Sequence, residues 1–91
     1  MTQQYIVGEL SALLGELQPP PGEWLGAVNR LRGEVESSPV PQLPELAREA
    51  LQLTDTICWA ALERGDVGGF YGCATTAGAL RDFADNARLL P

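Results

Sequence analysis

Three breaks divide this chain and decide what it can fold into. They are a Pro-Pro-Pro-Gly block at residues 19–22, a proline-rich segment at residues 37–44, and a Gly-Asp-Val-Gly-Gly loop at residues 65–69. Proline has no amide hydrogen and pushes the preceding residue out of the helical region, while glycine is common just beyond a helix end. A helix that reaches one of these breaks must stop there, so the chain has to be assembled from four short segments.

Apolar residues recur at helical spacing in all four segments, which predicts helices at about residues 2–17, 22–36, 44–64 and 68–89. The third helix has the broadest apolar face. The inward face of the fourth consists mostly of small residues, so we expect that helix to pack tightly against a neighbour. Short connections between amphipathic helices favour antiparallel neighbours. The sequence therefore predicts an all-α fold, a four-helix up-down-up-down bundle that forms a single domain over residues 1–91.

The third break carries residues that suit the end of one helix and the start of the next. Arg64 suits the negative end of the third helix, and Gly65 suits the position just beyond it. Asp66 is a good N-terminal cap for the fourth helix. Arg-Gly-Asp also spells an adhesion tripeptide, but three residues are a very weak signal. We interpret the segment as a helix–helix loop.

The charge balance argues against two classes of partner. The chain of 91 residues has a formal net charge of −6, and its six cations are all arginines, spread along the sequence without forming a patch. Nucleic-acid backbones and anionic membranes are bound through clustered cations. We therefore expect neither a nucleic acid nor a membrane as partner.

Histidine is absent, which removes the commonest general base and the commonest metal ligand. Ser-His-Asp and Cys-His catalysis and His-ligated metal sites are thereby excluded for the isolated chain. No other catalytic or cofactor motif is present, so we expect no cofactor. The first residues lack the positive region of a signal peptide, and no apolar run approaches the roughly 20 residues of a membrane helix. The expected location is the cytoplasm.

Cys58 and Cys73 are the two cysteines of the chain. Cys58 falls about two turns before the end of the third predicted helix, and Cys73 falls one to two turns after the start of the fourth. In an antiparallel hairpin they would lie at similar heights on inward faces. Two interpretations remain open: small buried apolar side chains, or a thiol switch that closes a disulfide, for which the Cα atoms must lie within roughly 7 Å. A catalytic thiol is disfavoured, because no Lys or His is available to lower its pKa.

Paired carboxylates offer an alternative in which the chain is a small acidic metal-dependent or nucleotide-processing enzyme. Glu45 and Glu49 have i, i+4 spacing, and Asp82 and Asp85 have i, i+3 spacing, so each pair shares a helix face. On a helical wheel, however, both pairs lie opposite the apolar faces of their helices. We expect all four to face water, where a solvated charged surface is the simpler interpretation.

Aromatic side chains support the leading hypothesis. Trp59 lies off the centre of the apolar face of the third helix, and Tyr71 lies on the polar side of the fourth. Exposed Trp and Tyr are enriched at protein interfaces, although each could instead cover the edge of a small core. The sequence favours a non-enzymatic helical protein–protein interaction module, a homodimer or a small adaptor. Its expected contact surface comprises Trp59, Leu51, Leu62, Asp55 and Tyr71.

Overall fold

The computed structural model describes residues 3–17, 23–37, 39 and 42–89, and these residues form four helices and no strand. The helices are α1 (Gln3–Glu16), α2 (Glu23–Ser37), α3 (Leu43–Glu63) and α4 (Val67–Asn86). The predicted all-α, four-helix class is confirmed. The largest difference in helix bounds is at the end of α4, which stops at residue 86 and not at residue 89.

The proline linkers fall mostly outside the described residues, but their edges are visible. The Pro-Pro-Pro-Gly block lies outside them entirely. The alternating prolines predict an extended, polyproline-like linker at residues 37–42. It is described only in part: Ser37 still belongs to α2, and Gln42 has helical backbone angles. The amide of Gln42 also donates to the carbonyl oxygen of Pro39 over 3.0 Å. The chain therefore turns directly into α3, so the expectation of an extended backbone is wrong at Gln42.

The connection between α3 and α4 is a tight turn that satisfies the backbone at both helix ends. Gly65 has a φ of 78°, and its amide donates to the carbonyl of Leu62 while that of Asp66 donates to the carbonyl of Ala61. This is the Schellman arrangement, in which glycine adopts the left-handed conformation without a steric penalty. The Asp66 carboxylate then accepts from the amide of Gly69 over 2.9 Å and caps α4. Both capping predictions are confirmed.

The end of α4 uses the same arrangement with a less suitable residue. Arg88 has a φ of 58°, and the amide of Leu89 donates to the carbonyl of Ala84 over 2.8 Å. Leu89 is thereby turned back into the core, where it is buried. The fourth helix is shorter than its apolar pattern predicts because Leu89 belongs to the core without belonging to the helix.

Neighbouring helices pack against each other along the chain, and α1 also packs against α4, so the four helices close into a bundle. Opposite ends meet in these pairs. Tyr5 at the start of α1 contacts Phe83 near the end of α4, with ring centroids 6.0 Å apart, and Trp59 near the end of α3 contacts Phe70 near the start of α4. This antiparallel arrangement is the up-down topology. One core cluster joins all four helices, and its fully buried members include Leu10, Leu14, Val35, Leu43 and Leu80.

A small polar network joins α1 to α2 at the edge of this core. The buried Ser11 hydroxyl donates to Glu36 Oε1 over 2.8 Å and accepts from Arg32 Nε over 3.3 Å. The Arg32 guanidinium lies against the backbone of Gly15, where a Cβ atom would come within 3.2 Å of it. Glycine at this position therefore leaves the space that Arg32 occupies.

Candidate functional site

Helices α3 and α4 make the most extensive contact of any helix pair in the bundle, and several of the buried side chains in this contact are small. Thr54 and Cys58 on α3 and Cys73 and Thr76 on α4 are all buried. The Thr54 hydroxyl donates to the carbonyl of Ala50, within its own helix, over 2.7 Å. Small side chains and an internally satisfied hydroxyl let the two helices approach closely without leaving a buried polar atom unpaired.

The two thiols lie together inside this contact. The Cys73 thiol donates to the carbonyl oxygen of Thr54 over 3.2 Å, and Thr54 lies one helical turn before Cys58. Both cysteines are free. Burial is the main cause that raises the pKa of Cys73 to about 12, and the Cys58 thiol and the charge of Asp55 raise it further. Cys73 therefore stays protonated at neutral pH.

On the outer side of this contact, α3 and α4 leave an open groove of about 350 Å³. Below, "the groove" means this depression. Its α4 wall is low, because Ala74, Ala77 and Gly78 carry almost no side chain there. The eight residues that line it are Asp55, Cys58, Trp59, Phe70, Ala74, Ala77, Gly78 and Arg81.

Three aromatic rings crowd one end of the groove and form what we call the aromatic cluster: Trp59, Phe70 and Tyr71. The ring centroids of Trp59 and Phe70 are 6.5 Å apart, and those of Phe70 and Tyr71 are 5.7 Å apart in an edge-on arrangement. Phe70 is half-buried against the core, whereas Trp59 is 61% exposed and Tyr71 is 67% exposed. The cluster is thus anchored through Phe70 and presents two large rings to solvent.

The groove carries one charge of each sign. Asp55 lies on the α3 side and Arg81 on the α4 side, and both are exposed. Neither forms an ion pair with any other residue of the described part of the chain, where one pair, Arg64 with Asp66 at 3.6 Å, is present. The groove is therefore electrically neutral on a chain whose net charge is −6.

A second depression, of about 470 Å³, lies at the end of the bundle where α3 ends and α4 begins. Its walls include the backbone of Gly68, Gly69 and Gly72, the buried Leu17, and one side of Cys73. Of its charged residues, Asp66 and Arg64 pair with each other, and Glu16 is exposed to solvent. We refer to it as the end cavity and find no convergent polar groups that would hold a ligand in it.

The carboxylate pairs lie where the helical wheel predicted them. Glu45, Glu49, Asp82 and Asp85 are all exposed. Within residues 3–17, 23–37, 39 and 42–89, no group of three or more His, Cys, Asp or Glu side chains is placed to hold a metal ion. The spacing of each pair therefore does not translate into a converging site, because the two pairs lie on the solvent faces of different helices.

Most of the predicted contact surface is accessible, with one correction. Trp59, Leu62, Asp55 and Tyr71 are exposed. Leu51 is only 9% exposed and belongs to the core cluster, so it contributes no accessible surface to the groove. The apolar face of α3 is broad because α2 and α4 pack on either side of it, and Leu51 is covered by these neighbours.

Phe70 and Arg81 line the groove but are not among the predicted contact residues, because the apolar spacing of α4 places Phe70 on the inward face and gives Arg81 no role. The same spacing places Cys73, Leu80 and Ala84 inward, and these residues are buried. Ala74 and Gly78 are exposed beside the groove. The i, i+4 spacing of two small residues next to an arginine one turn further on is the sequence signal for a low wall with a charged end.

Comparison with known proteins returns no family model, no curated protein and no solved structure that matches this chain. None of the helices in the described residues has the length and apolar character needed to cross a membrane.

Proposed function

We propose that this protein is a non-enzymatic helical interaction module that self-associates through the groove and the aromatic cluster. The observation that carries the proposal is Trp59, whose ring is 61% exposed on a helix that already has a complete inward face. Burying a Trp side chain is among the largest single contributions at protein interfaces. A side chain of this kind beside an apolar, open groove is typical of a contact surface.

A second copy of the chain is the occupant that these features favour. In a two-fold dimer both copies use the same patch, so projections and depressions must lie on one face. Here Trp59 and Tyr71 project beside the low wall formed by Ala74 and Gly78. Each copy can therefore offer rings to the groove of the other.

The charges of the groove also fit a two-fold contact. A two-fold axis midway between Asp55 and Arg81 places Asp55 of each copy against Arg81 of the other, which gives two ion pairs. Both side chains lack an ion-pair partner in the described residues. Elsewhere, two copies with a net charge of −6 each would repel, so the neutral groove is the favourable place of approach.

The area of this face is sufficient for a reversible dimer. Helix α3 has 21 residues, so its length is about 30 Å, and two helices of about 10 Å width give a face of roughly 600 Å². Two such faces total about 1,200 Å², which is the lower end of the range for specific interfaces. We expect a dimer with a dissociation constant on the order of micromolar.

The proposal keeps the cytoplasm as the location. Both cysteines are free and buried, which fits a compartment where thiols are kept reduced. A self-association site also needs neither a cofactor nor a metal.

Sedimentation equilibrium over about 1 μM to 1 mM tests the proposal directly. We expect the wild-type chain to dimerise and Trp59→Ala to raise the dissociation constant at least about 30-fold, the equivalent of about 2 kcal/mol. The matched control is Leu25→Ala, which removes an exposed apolar side chain from α2, outside the groove. It should dimerise as the wild type does. A wild-type chain that stays monomeric throughout this range, or a Trp59→Ala chain that dimerises equally well, contradicts the proposal.

A charge exchange tests the geometry of the dimer. Asp55→Arg alone and Arg81→Asp alone each place like charges opposite one another, so both should weaken the dimer. The double variant Asp55→Arg/Arg81→Asp restores opposite pairs and should recover most of the affinity. If the double variant is no better than the worse single variant, the two residues do not face each other in the dimer.

A further inference from the structure

The two thiols of this chain are buried on facing sides of the α3–α4 interface. The Cys73 thiol donates to the carbonyl oxygen of Thr54 over 3.2 Å, and Thr54 lies one helical turn before Cys58. Cys73 therefore sits beside the turn that carries Cys58, and the two thiols interact strongly enough for Cys58 to raise the pKa of Cys73. Both are buried, at 6% exposure for Cys58 and 8% for Cys73. Nothing in the proposed dimer makes use of this pair.

We propose that Cys58 and Cys73 form a reversible intrachain disulfide when the protein meets a hydroperoxide. The Cys73 thiol already lies against the turn of α3 that carries Cys58, so reaching the S–S bond length of about 2.05 Å requires the two side chains to rotate toward each other. The helices that carry them are joined by the short turn at Gly65, which fixes their relative height. The required change is a side-chain movement within a contact that the fold has already made.

The chemistry proceeds in two balanced steps. A thiolate attacks the peroxide, so an S–O bond forms, the O–O bond breaks, and the departing oxygen takes a proton and leaves as water. The second thiol attacks the resulting sulfenic acid, so the S–S bond forms, the S–O bond breaks, and its proton leaves with the hydroxide as a second water. Two thiols and one hydrogen peroxide give one disulfide and two waters. Two electrons pass from the sulfur atoms to the peroxide.

The surroundings of the two cysteines assign them different steps. Cys58 lines the groove and Cys73 lines the end cavity, so a small oxidant can approach the pair from either side without unfolding the bundle. Burial, the interaction with Cys58 and the charge of Asp55 raise the pKa of Cys73 to about 12, so it is a poor first nucleophile. Cys58 is therefore the thiol that the peroxide oxidises, and Cys73 is the thiol that resolves the sulfenic acid. A bulky oxidant such as glutathione disulfide does not fit beside side chains this deeply buried.

The disulfide would tie α3 to α4 directly beneath the groove. Because the bond closes within one chain, this inference does not depend on self-association and stands or falls separately from it. Closing the chain between residues 58 and 73 removes conformational freedom from the unfolded state, so oxidation should raise the melting temperature by at least about 5 °C. A reductant should reverse this rise.

The experiment treats the folded, reduced full-length chain with hydrogen peroxide and follows free thiols, intact mass and melting temperature. We expect both thiols to disappear together, a mass decrease equal to two hydrogen atoms, and a peptide that links residues 58 and 73 in a nonreduced digest. Any mass increase from oxidation of Met1 is common to wild type and variants and is scored separately. Survival of both thiols at peroxide doses that oxidise the urea-unfolded chain would overturn the proposal. So would a disulfide that links two chains, or sulfinic acid formed without a disulfide.

Single-cysteine variants test the order of the two steps. In Cys73→Ser the sulfenic acid cannot be resolved, so a dimedone trap should label Cys58. In Cys58→Ser the remaining thiol should be labelled at least about 10-fold more slowly, because its thiolate fraction is small. Equal or faster labelling of Cys73 would overturn the assignment of Cys58 as the attacking thiol. Both variants are checked by circular dichroism so that labelling is measured on folded protein.

Discussion

The two helical hairpins of this bundle, α1–α2 and α3–α4, are held together by different kinds of side chain. Helices α1 and α2 are joined at the core edge by polar and charged side chains, with Ser11 bonded to both Arg32 and Glu36. Helices α3 and α4 are joined by buried thiols and other small side chains, and the Cys73 thiol donates across the contact to the carbonyl oxygen of Thr54. The hydrogen bonds between α1 and α2 fix how these two helices are aligned. The small side chains between α3 and α4 allow a close approach and leave the outer surface of these helices free for other contacts.

This difference explains where the candidate site lies. Where α1 and α2 meet, long side chains cross between the helices and fill the edge of the contact. Where α3 and α4 meet, the side chains beside the thiols are small, so a groove remains there, and the Trp59 and Phe70 rings contact each other at its edge. Small residues that bring two helix axes together also leave the flanks of the contact open, and the aromatic cluster lies on that flank.

The largest expected difference between the hairpins appears in alkali. The Cys73 pKa is raised in the fold from the ordinary 9.0 to about 12, so the folded state favours the neutral thiol. This contribution to stability is complete below about pH 9 and is lost as the pH rises toward 12. By about pH 10.5 the loss is about 2 kcal/mol, since each pH unit above the unfolded-state pKa costs about 1.4 kcal/mol.

Urea unfolding at pH 8 and pH 10.5, with reductant present throughout, measures this loss. Cys73→Ser removes the titrating group but keeps a small side chain able to donate to Thr54. It should lose about 2 kcal/mol less than the wild type across the same interval. Equal losses in the two proteins would show that the Cys73 thiol is not protected by the α3–α4 contact.

An intermediate effect on stability is expected from the hydrogen-bond network between α1 and α2. Ser11→Ala removes the hydroxyl that links Glu36 to Arg32, and both charged partners can then turn to water, so we expect a loss of about 1 kcal/mol. The matched control is Ser37→Ala, whose hydroxyl donates only to carbonyls of its own helix, at Gly33 and Glu34. It should change the free energy of unfolding by less than about 0.5 kcal/mol. If both substitutions cost the same, the cross-helix network contributes nothing of its own.

The comparison also shows which parts of this molecule the sequence predicts. The helices follow from local information, because the breaks and the apolar spacing are properties of short segments, and Gly65 and Asp66 carry their capping roles in their side-chain types. Whether a residue at the edge of an apolar face becomes covered does not depend on the local sequence alone. Leu51 and Leu62 lie on the same apolar arc of α3, yet only Leu51 is covered, because the covering depends on how α2 and α4 pack beside it.

The small residues of α4 show the same limit from the other side. Their apolar spacing predicts that Cys73 and Leu80 face the core, as they do, but it does not tell that Ala74 and Gly78 border an open groove. A small rotation of α4 would exchange these roles. Tertiary packing fixes the rotation, and with it the position of Phe70 and Arg81.

The smallest effect concerns the space that Gly15 leaves for Arg32. It tests whether glycine is needed there to make room for the guanidinium or is only tolerated in the helix. Replacing a helical Gly by Ala generally stabilises a helix by up to about 1 kcal/mol. Gly8→Ala, in open space on the same helix, should show most of this gain. In Gly15→Ala the new Cβ lies 3.2 Å from the Arg32 guanidinium, so Arg32 must move and its bond to Ser11 is lost. The gain should therefore shrink to a few tenths of a kcal/mol or vanish.

Repeating Gly15→Ala in an Arg32→Ala background should restore the gain in stability, since the obstructing group is gone. A gain of the same size in both backgrounds would mean that Arg32 moves aside at no cost, and that the first hairpin is held by its apolar face alone, as the second one is.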